Sequence, residues 1–495
     1  MNRSKQHTQV PNKTSDKLKF GDKLVYANIR KRITKDRMYC WPALDTIASE
    51  CDMAIKTVKA CIQRLEDAGF MKVERKKGAS WTFTFEKLEK AKVFRDPLYG
   101  NITVEYKLLW DLIDTREVQR LRRIRQLSGV SMVFHTAEHS RFGHALGTYY
   151  IAYRMCNEVT DLKNQLSEYE KIVFLAAALL HDVGHGPYSH AFEHVFGLKH
   201  EIITCQMIED ENTEINKVLA KYPFLANDIA GIIRHDGKYP LIESLITSQL
   251  DVDRLDYLNR DAHFTGATYG VVDVDRLIRI MRIVDGQICY KDKGVHAIEN
   301  YLMSRYHMYW QIYYHPVARS YEIILESVYK RIKDLIVEGK KIEADVKSLI
   351  SVFKNKDLEG YIDIDDAYVN GMIKQLTKSQ DPILNDLCNA FMNRRLFNYI
   401  HLKENEENTI LPSYLNDSIL LNYYYKEDYV SQVAYLTYMN FGKDYDINNI
   451  LIKKDNELVP LEEFSPIVKG FLHSGTKKET RIFYGVKDNG VKRYV

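Results

Sequence analysis

Residues 179–194, LLHDVGHGPYSHAFEH, gather four histidines, an aspartate and a glutamate at the end of an apolar run, IVFLAAALL. An ionised carboxylate beside imidazole at a buried helix end is costly unless it is paired or bound to a metal. Gly184, Gly186 and Pro187 stop the helix at once, so the following loop can fold back and bring His185 and His190 to the same point. Upstream, HSRFGHALGTYY sets His144 on the apolar face of a helix start, three residues after Arg141. Downstream, SQLDVDRLDYLNRD spaces acids at 251, 253, 256 and 261. Asp253 and Asp256 share a helix face there, and Tyr257 lies four residues after Asp253. Two imidazoles and two carboxylates suit one divalent cation, Mn²⁺, Fe²⁺ or Zn²⁺, and Mg²⁺ less well. Such an ion polarises a phosphoryl oxygen and activates water. Arg141, Arg254 and Arg305 supply the cations that would hold a polyphosphate. The dipeptide alone says little, since His235-Asp236 repeats it in IIRHDGKY. The ordered set of histidines, aspartates and arginines carries the inference.

These side chains need a helical frame. From Lys92 to about 335, apolar periodicity predicts helices around 104–128, 142–160, 168–183, 200–210, 241–261, 273–284 and 296–335. The tail is mixed: helices are expected at 340–355, 366–378, 380–400 and 427–441, and RIFYGVK has strand character. There is no internal repeat and no low-complexity block.

Ahead of this body, residues 1–18 are polar and read as disordered. KLVYANIRKRI, WPALDTIASECDM and AIKTVKACIQRLEDAGF follow as three helices, with Pro42 in a first turn and Gly69 as a stop. MKVERKKGASWTFTF alternates around Gly78 as a hairpin. This order resembles the winged helix-turn-helix modules of bacterial and phage replication and regulatory proteins. It implies Lys56, Thr57, Lys59, Gln63 and Arg64 as contacts in the DNA major groove, and Arg75, Lys76 and Lys77 on phosphate. Charge agrees: residues 1–90 carry 20 Lys and Arg against 11 Asp and Glu, a surplus of +9, which leaves residues 91–495 at −6 out of the total +3. A basic module on a slightly acidic body points to a polyanionic partner.

The seven cysteines (40, 51, 61, 156, 205, 289 and 388) are odd in number and never spaced CxxC. Reduced thiols in a cytoplasm are expected, without a disulfide framework. No apolar stretch has a membrane-spanning length, and the polar start MNRSKQHTQVPNKTSDK lacks the apolar region of a secretory signal. A cytoplasmic protein with no membrane partner is expected.

RFGHALG, HDVGHGPYSHAFEH, KHE and DVDRLDYLNRDAHFTG resemble, in order and spacing, the HD-domain deoxynucleoside triphosphate triphosphohydrolases, over about Lys92 to Arg319. The resemblance implies an all-helical HD core over 91–335; the winged helix over 19–90 lies outside it, and the region 336–495, mixed α/β by its pattern, resembles the family only loosely, so that a mainly α protein is expected. It implies His144, His181, Asp182 and Asp253 as ligands of one divalent metal. It implies His190 as the catalytic histidine, supported by Glu193 and His200, with His185 touching the α-phosphate. The family often has Asp where Glu193 stands, and Lys where Arg254 stands. Arg141, Arg254 and Arg305 would contact the triphosphate. Tyr257 and Tyr313 would pack on the sugar, Asp261 and Gln126 would bind its 3′-hydroxyl, and His315 would lie near the base. The activity implied is hydrolysis of a dNTP to deoxynucleoside and triphosphate.

KVFRDPLYG and IDTREVQRLRRIRQL also resemble the family, whose regulated members bind an activating nucleotide there at a subunit interface. Lys92, Val93, Asp114, Gln119 and Arg122 match that site. Arg95 and Pro316 depart from its pattern and leave the activator's identity open. A nucleotide activator and a homo-oligomer, dimer or tetramer, are thus expected. Two alternatives stay open: an HD phosphohydrolase acting on nucleoside monophosphates or cyclic nucleotides, and a DNA-binding regulator that senses nucleotides. Depletion of dNTPs during phage infection, or control of the dNTP pool, would suit the leading reading.

Overall fold

The computed structural model describes residues 19, 21–22, 24–25, 44–67, 85–222, 224–402, 417–431, 450–455, 457–473 and 478–485. At the N-terminal end, helices α1 (Leu44–Cys51) and α2 (Ile55–Asp67) form the helix-turn-helix, with Asp52 left-handed at the turn. Val58, Cys61, Ile62 and Leu65 recur at helical spacing and are buried, as are Ile47, Ala48 and Cys51 of α1. Lys56, Thr57 and Lys59, expected as groove contacts, are exposed. Arg64 departs from that expectation: its Nη2 donates to the buried Asp22 carboxylate at 2.6 Å, so it anchors α2 to the chain before it. Of the expected first helix only positions 24–25 are described, and they are helical, as are 21–22 just before it. The wing with Arg75, Lys76 and Lys77, together with Pro42, Gly69, Gly78 and the tail 1–18, lies outside the described residues.

The body is mainly helical, yet it opens with a hairpin where helix was expected to begin. Strand β1 (Lys87–Asp96) pairs antiparallel with β2 (Gly100–Tyr106), register Lys92 to Val104 and Asp96 to Gly100. The predicted helix 104–128 is therefore broken into β2, a helix at Lys107–Ile113, the short helix α3 (Arg116–Arg120) and a tight turn at Leu121–Arg123.

Helix α4 (Arg141–Glu158) packs on α5 (Glu168–Leu180). A capping box of Ser167 and Glu170 starts α5, and every residue from Ile172 to Leu180 is buried. Three consecutive alanines let α4 approach closely enough for Thr148 Oγ1 to donate to the Ala178 carbonyl at 2.8 Å. After α5 the chain turns through the glycine loop into α6 (Ser189–Phe196) and α7 (His200–Glu209).

The expected helix 241–261 is two helices, Pro240–Ile246 and α8 (Val252–Thr265). The break is set by Asp251, whose carboxylate caps α8 by accepting from Arg254 N at 2.7 Å. Gly147 lets α8 lie against α4: a Cβ there would stand 1.8 Å from Asp256 Oδ1. The predicted helix 273–284 ends at Ile280 and continues as β3 (Met281–Val284), paired with β4 (Gln287–Lys291). The predicted helix 296–335 is α9 (Val295–Met308), a π-helical turn at Tyr309–Tyr313, and α10 (Pro316–Val337), with Pro316 in the first turn.

The tail is mixed α/β, as expected. Lys347–Asn355, the short helix Leu358–Ile362, α11 (Asp366–Leu376) and Pro382–Met392 are helical. Beyond Met392, β5 (Asn398–Leu402) replaces the end of the predicted helix 380–400. Residues 427–431, where a helix was predicted to begin, fall in strand β6 (Tyr425–Ser431); the rest of 427–441 lies outside the described residues. β7 (Leu451–Lys454) joins β4 in parallel and pairs with β8 (Glu457–Pro460), and β9 (Lys478–Tyr484), which holds the first four residues of RIFYGVK, lies between β5 and β6. The tail is thus stitched onto the helical core. Among the described residues no helix is long and apolar enough to cross a membrane.

Candidate active site

Helices α4, α5 and α8 bring four separated donors together. His144 Nε2 stands 3.0 Å from Asp253 Oδ1 and 3.7 Å from Asp182 Oδ2. His181 Nε2 stands 3.5 Å from Asp253 Oδ1 and 3.4 Å from Asp182 Oδ1. The ligand atoms of His144, His181 and Asp253 lie within 4.8 Å of one another. Each imidazole has its Nδ1 engaged elsewhere, His181 by the Ala178 carbonyl at 2.9 Å and His144 by Asp256 at 2.8 Å. Both Nε2 atoms are buried without a hydrogen bond. That is the donor set a divalent cation requires: two imidazole lone pairs and two carboxylates, the rings oriented through their far nitrogens. Burial alone would discharge His144, but the Asp253 and Asp256 carboxylates hold its pKa up at about 10, as expected of a pocket with excess negative charge.

Asp256 itself is fixed by bonds from Arg260 (2.9 and 3.0 Å) and the Tyr99 hydroxyl (2.7 Å), and Arg260 also donates to Asp96 at 2.9 Å. The β1–β2 turn thereby grips the residue that orients His144. The sequence reading placed Asp256 on the face of Asp253 but did not foresee Arg260, Asp96 or Tyr99. Arg141, expected on phosphate, donates to Asp182 Oδ2 at 2.6 Å.

The glycine loop forms the next wall. His185 Nε2 lies 3.3 Å from Asp182, and its ring stacks on His200 with centroids 3.8 Å apart. Glu193 Oε1 sits between the two, 3.3 Å from His185 Nδ1 and 3.0 Å from His200 Nδ1. Burial would raise the Glu193 pKa, but these two imidazoles hold it down at about 2. The stacked rings are drawn apart: burial and Arg141 push His185 down, while Glu193 pulls His200 up against its burial. His190 is the second residue of α6. Just before it, Tyr188 (φ 52°) and Ser189 (φ 23°) adopt positive φ without being glycine, a strained approach often found at functional sites.

On the other side of the metal-ligand cluster runs an aromatic wall. Tyr257 meets His144 edge to face at 6.5 Å and Tyr313 at 6.2 Å, and the Tyr313 hydroxyl donates to Asp261 Oδ2 at 2.7 Å. Asp261 Oδ1 faces His139 Nε2 at 2.8 Å, and His139 stacks on Phe264; sequence reasoning missed His139. Gln126 is tied to His139 through its main chain at 2.9 Å, and its side-chain oxygen is buried without a partner. Arg254 bonds Asp251 and the Ser248 carbonyl, and Arg305 donates to Gln249 at 3.0 Å. Arg254 stands in the first turn of α8 and Arg305 on α9, both held by protein groups. His315 is set apart from the metal-ligand cluster: it caps α10 and meets Phe134 edge to face.

Of the expected activator residues, Lys92 and Arg122 lie over rings linked through the Phe94–Phe142 edge contact. Lys92 Nζ lies over the Trp110 ring at 5.5 Å, Trp110 stacks on Phe94, and Arg122 lies over Phe142 at 3.6 Å. Gln119 accepts from Arg122 Nε at 2.8 Å. Lys92, Val93, Asp114 and Arg122 are exposed.

Comparison with known proteins follows this geometry. Residues 141–261 match the HD domain, 272–409 the HD associated region, and 17–71 a helix-turn-helix domain. The uncharacterized protein YwfO of Bacillus subtilis is 42% identical over 408 residues, 81% of this chain and 94% of that one. Human deoxynucleoside triphosphate triphosphohydrolase SAMHD1 is 28% identical over 386 residues, 68% of this chain and 60% of that one. A crystal structure of a phosphohydrolase from Bacteroides thetaiotaomicron superimposes with a TM-score of 0.69 at 28% identity, over 80% of this chain and all of that one.

Proposed function

This chain belongs to the HD-domain phosphohydrolase family, and from that premise we propose that it hydrolyses deoxynucleoside triphosphates to deoxynucleoside and triphosphate. One observation carries the reading. His144, His181 and Asp253 cluster with Asp182 3.4 Å from His181 Nε2; Tyr257 meets His144 on one side and Tyr313, which bonds Asp261, on the other, and Arg141 donates to Asp182. In this reading His144, His181, Asp182 and Asp253 would hold a divalent cation, which would supply positive charge to polarise the α-phosphoryl group. Arg141, Arg254 and Arg305 exchange their protein partners for triphosphate oxygens. Tyr257 crowds the sugar's 2′ position, and Asp261 and Gln126 hold its 3′-hydroxyl. Water adds to the α-phosphorus, the bond from phosphorus to O5′ breaks, and O5′ leaves with a proton from His190. Glu193 and His200 support His190, and His185 faces the α-phosphate.

The surface of Lys92, Val93, Asp114, Gln119 and Arg122 takes an activating nucleotide in a homo-oligomer, and residues 19–90 act as a DNA-reading module on the 91–335 core with its 336–495 tail. The setting is a cytoplasmic one, in dNTP-pool control or defence against phage. The helix-turn-helix match favours a second reading, a DNA-binding regulator whose HD core only senses nucleotides. One experiment separates these: incubation with Mn²⁺ and the four dNTPs, singly and mixed, with products identified by mass. Triphosphate and deoxynucleoside are expected. Inorganic phosphate alone would point to a monophosphate or cyclic-nucleotide enzyme, and no turnover to the regulator.

A further inference from the structure

Arg120 is buried completely at the end of α3, and among the described residues no carboxylate forms an ion pair with it. Its guanidinium is spent on two main-chain carbonyls: Nη1 donates to the His185 oxygen at 2.7 Å, and Nε and Nη2 donate to the Ile364 oxygen at 3.1 and 2.7 Å. A buried cation held by neutral acceptors is costly. The contact spans 65 residues of sequence on one side and 244 on the other. The neighbouring carbonyl is held the same way: the Tyr361 hydroxyl donates to the Gly184 oxygen at 2.7 Å, and the Tyr361 ring lies 5.1 Å from the Arg120 guanidinium. Gly184 N donates to Thr204 Oγ1 at 2.9 Å, and Tyr188 OH donates to Asn370 at 2.7 Å. Side chains from three different segments thus grip the backbone of Gly184 and His185, and Asn370 from a fourth holds the Tyr188 side chain, in the loop that carries His185 and leads through two positive-φ residues into His190.

The geometry points to Arg120, with Tyr361, as a positioning residue of the reaction: it fixes the His185 peptide, and with it the loop that carries His185 toward the α-phosphate and leads into α6. The inference rests on the proposed dNTP hydrolysis. Arg120 touches no reacting atom in this scheme. It acts through the loop, from a short helix whose outward side chains include Gln119.

The test compares the full chain, loaded with Mn²⁺, with Arg120→Lys, Arg120→Met and Tyr361→Phe. Backbone hydrogen exchange over 184–190 and the kcat, KM and Mn²⁺ content of each protein are measured. Exchange in the loop is expected to speed up while the α5 helix stays protected. kcat should fall by up to about 100-fold, as for a misplacement of roughly 1 Å, with KM and Mn²⁺ content little changed and Arg120→Lys losing less than Arg120→Met. Wild-type loop exchange and kcat in both Arg120→Lys and Tyr361→Phe would overturn the assignment. So would losses of kcat, KM and metal in step with general unprotection, which mark a merely structural role. If Arg120→Met does not fold, the other two variants decide. If the wild type turns over no dNTP, the functional reading fails, while loop exchange still judges the grip of Arg120.

Discussion

His144 Nδ1 lies 2.8 Å from Asp256 Oδ2, and this bond turns the opposite nitrogen toward Asp253 and Asp182. Asp256 ligates nothing in the proposed scheme; it sets the tautomer and tilt of a ligand that does. Asp256→Asn should therefore weaken Mn²⁺ binding by about 10–100-fold, the usual cost of losing such a partner. Gly147→Ala should act in the same direction, because the new methyl would occupy the place of the Asp256 carboxylate. Calorimetric titration of the metal-free proteins with Mn²⁺ checks both. Unchanged affinity in Asp256→Asn would remove it from the metal centre.

The assignment of His190 makes a separable demand. His190→Gln should keep Mn²⁺ and nucleotide binding yet lose at least about 100-fold in turnover, within the range for a general acid. His144→Ala should instead lose metal and turnover together. Single-turnover kinetics with a bound-nucleotide measurement distinguishes these outcomes, and normal turnover by His190→Gln would assign the acid to another group.

How much of this was readable beforehand depended on the kind of contact. The metal-ligand cluster was legible because its members are chemically costly types at the ends of apolar runs, and Asp253 and Asp256 share a helix face. The β1–β2 hairpin was not, since most of β1 is exposed and gives no alternation, while Ile102, Val104 and Tyr106 of β2 run directly into the apolar residues of the next helix. The break at Asp251 was signalled by a capping aspartate that the longer apolar period obscured. Arg120 left no trace at all: its partners are main-chain carbonyls, which no side-chain pattern reports. Arg64 looked like a groove residue because basic residues on a recognition helix do, and only the fold shows the buried Asp22 that claims it.

Arg122 offers a test of activation that leaves the fold intact. It is exposed and packs over Phe142 at the cluster with Lys92 and Trp110. Arg122→Ala should change stability by less than about 0.5 kcal/mol, as is usual for such surface positions. It should also remove the growth in particle size that dGTP or dTTP produces in the wild type. Light scattering with and without each nucleotide checks this. A wild type that stays monomeric with every nucleotide would refute the activator surface itself.

Asp366 gives a stability prediction with a definite sign. It is buried at the start of α11, accepts from the Arg125 main chain at 3.0 Å, and leaves its other oxygen unpartnered. Burial raises its pKa from 3.8 to about 6, and the bond from Arg125 only partly offsets this. Below pH 3.8 both folded and unfolded chains carry the proton, so the folded state loses nothing. Between 3.8 and about 6 the unfolded chain ionises first and is favoured; above about 6 the loss is complete, at most roughly 3 kcal/mol. Asp366→Asn keeps an acceptor for Arg125 but cannot ionise. Its melting temperature should match the wild type near pH 4 and exceed it near pH 7.5, the gap opening across that window. Melting curves at several pH values decide it. A constant offset, or a gap that widens toward acid, would show that the buried carboxylate is stabilised in its ionised form by a partner other than Arg125.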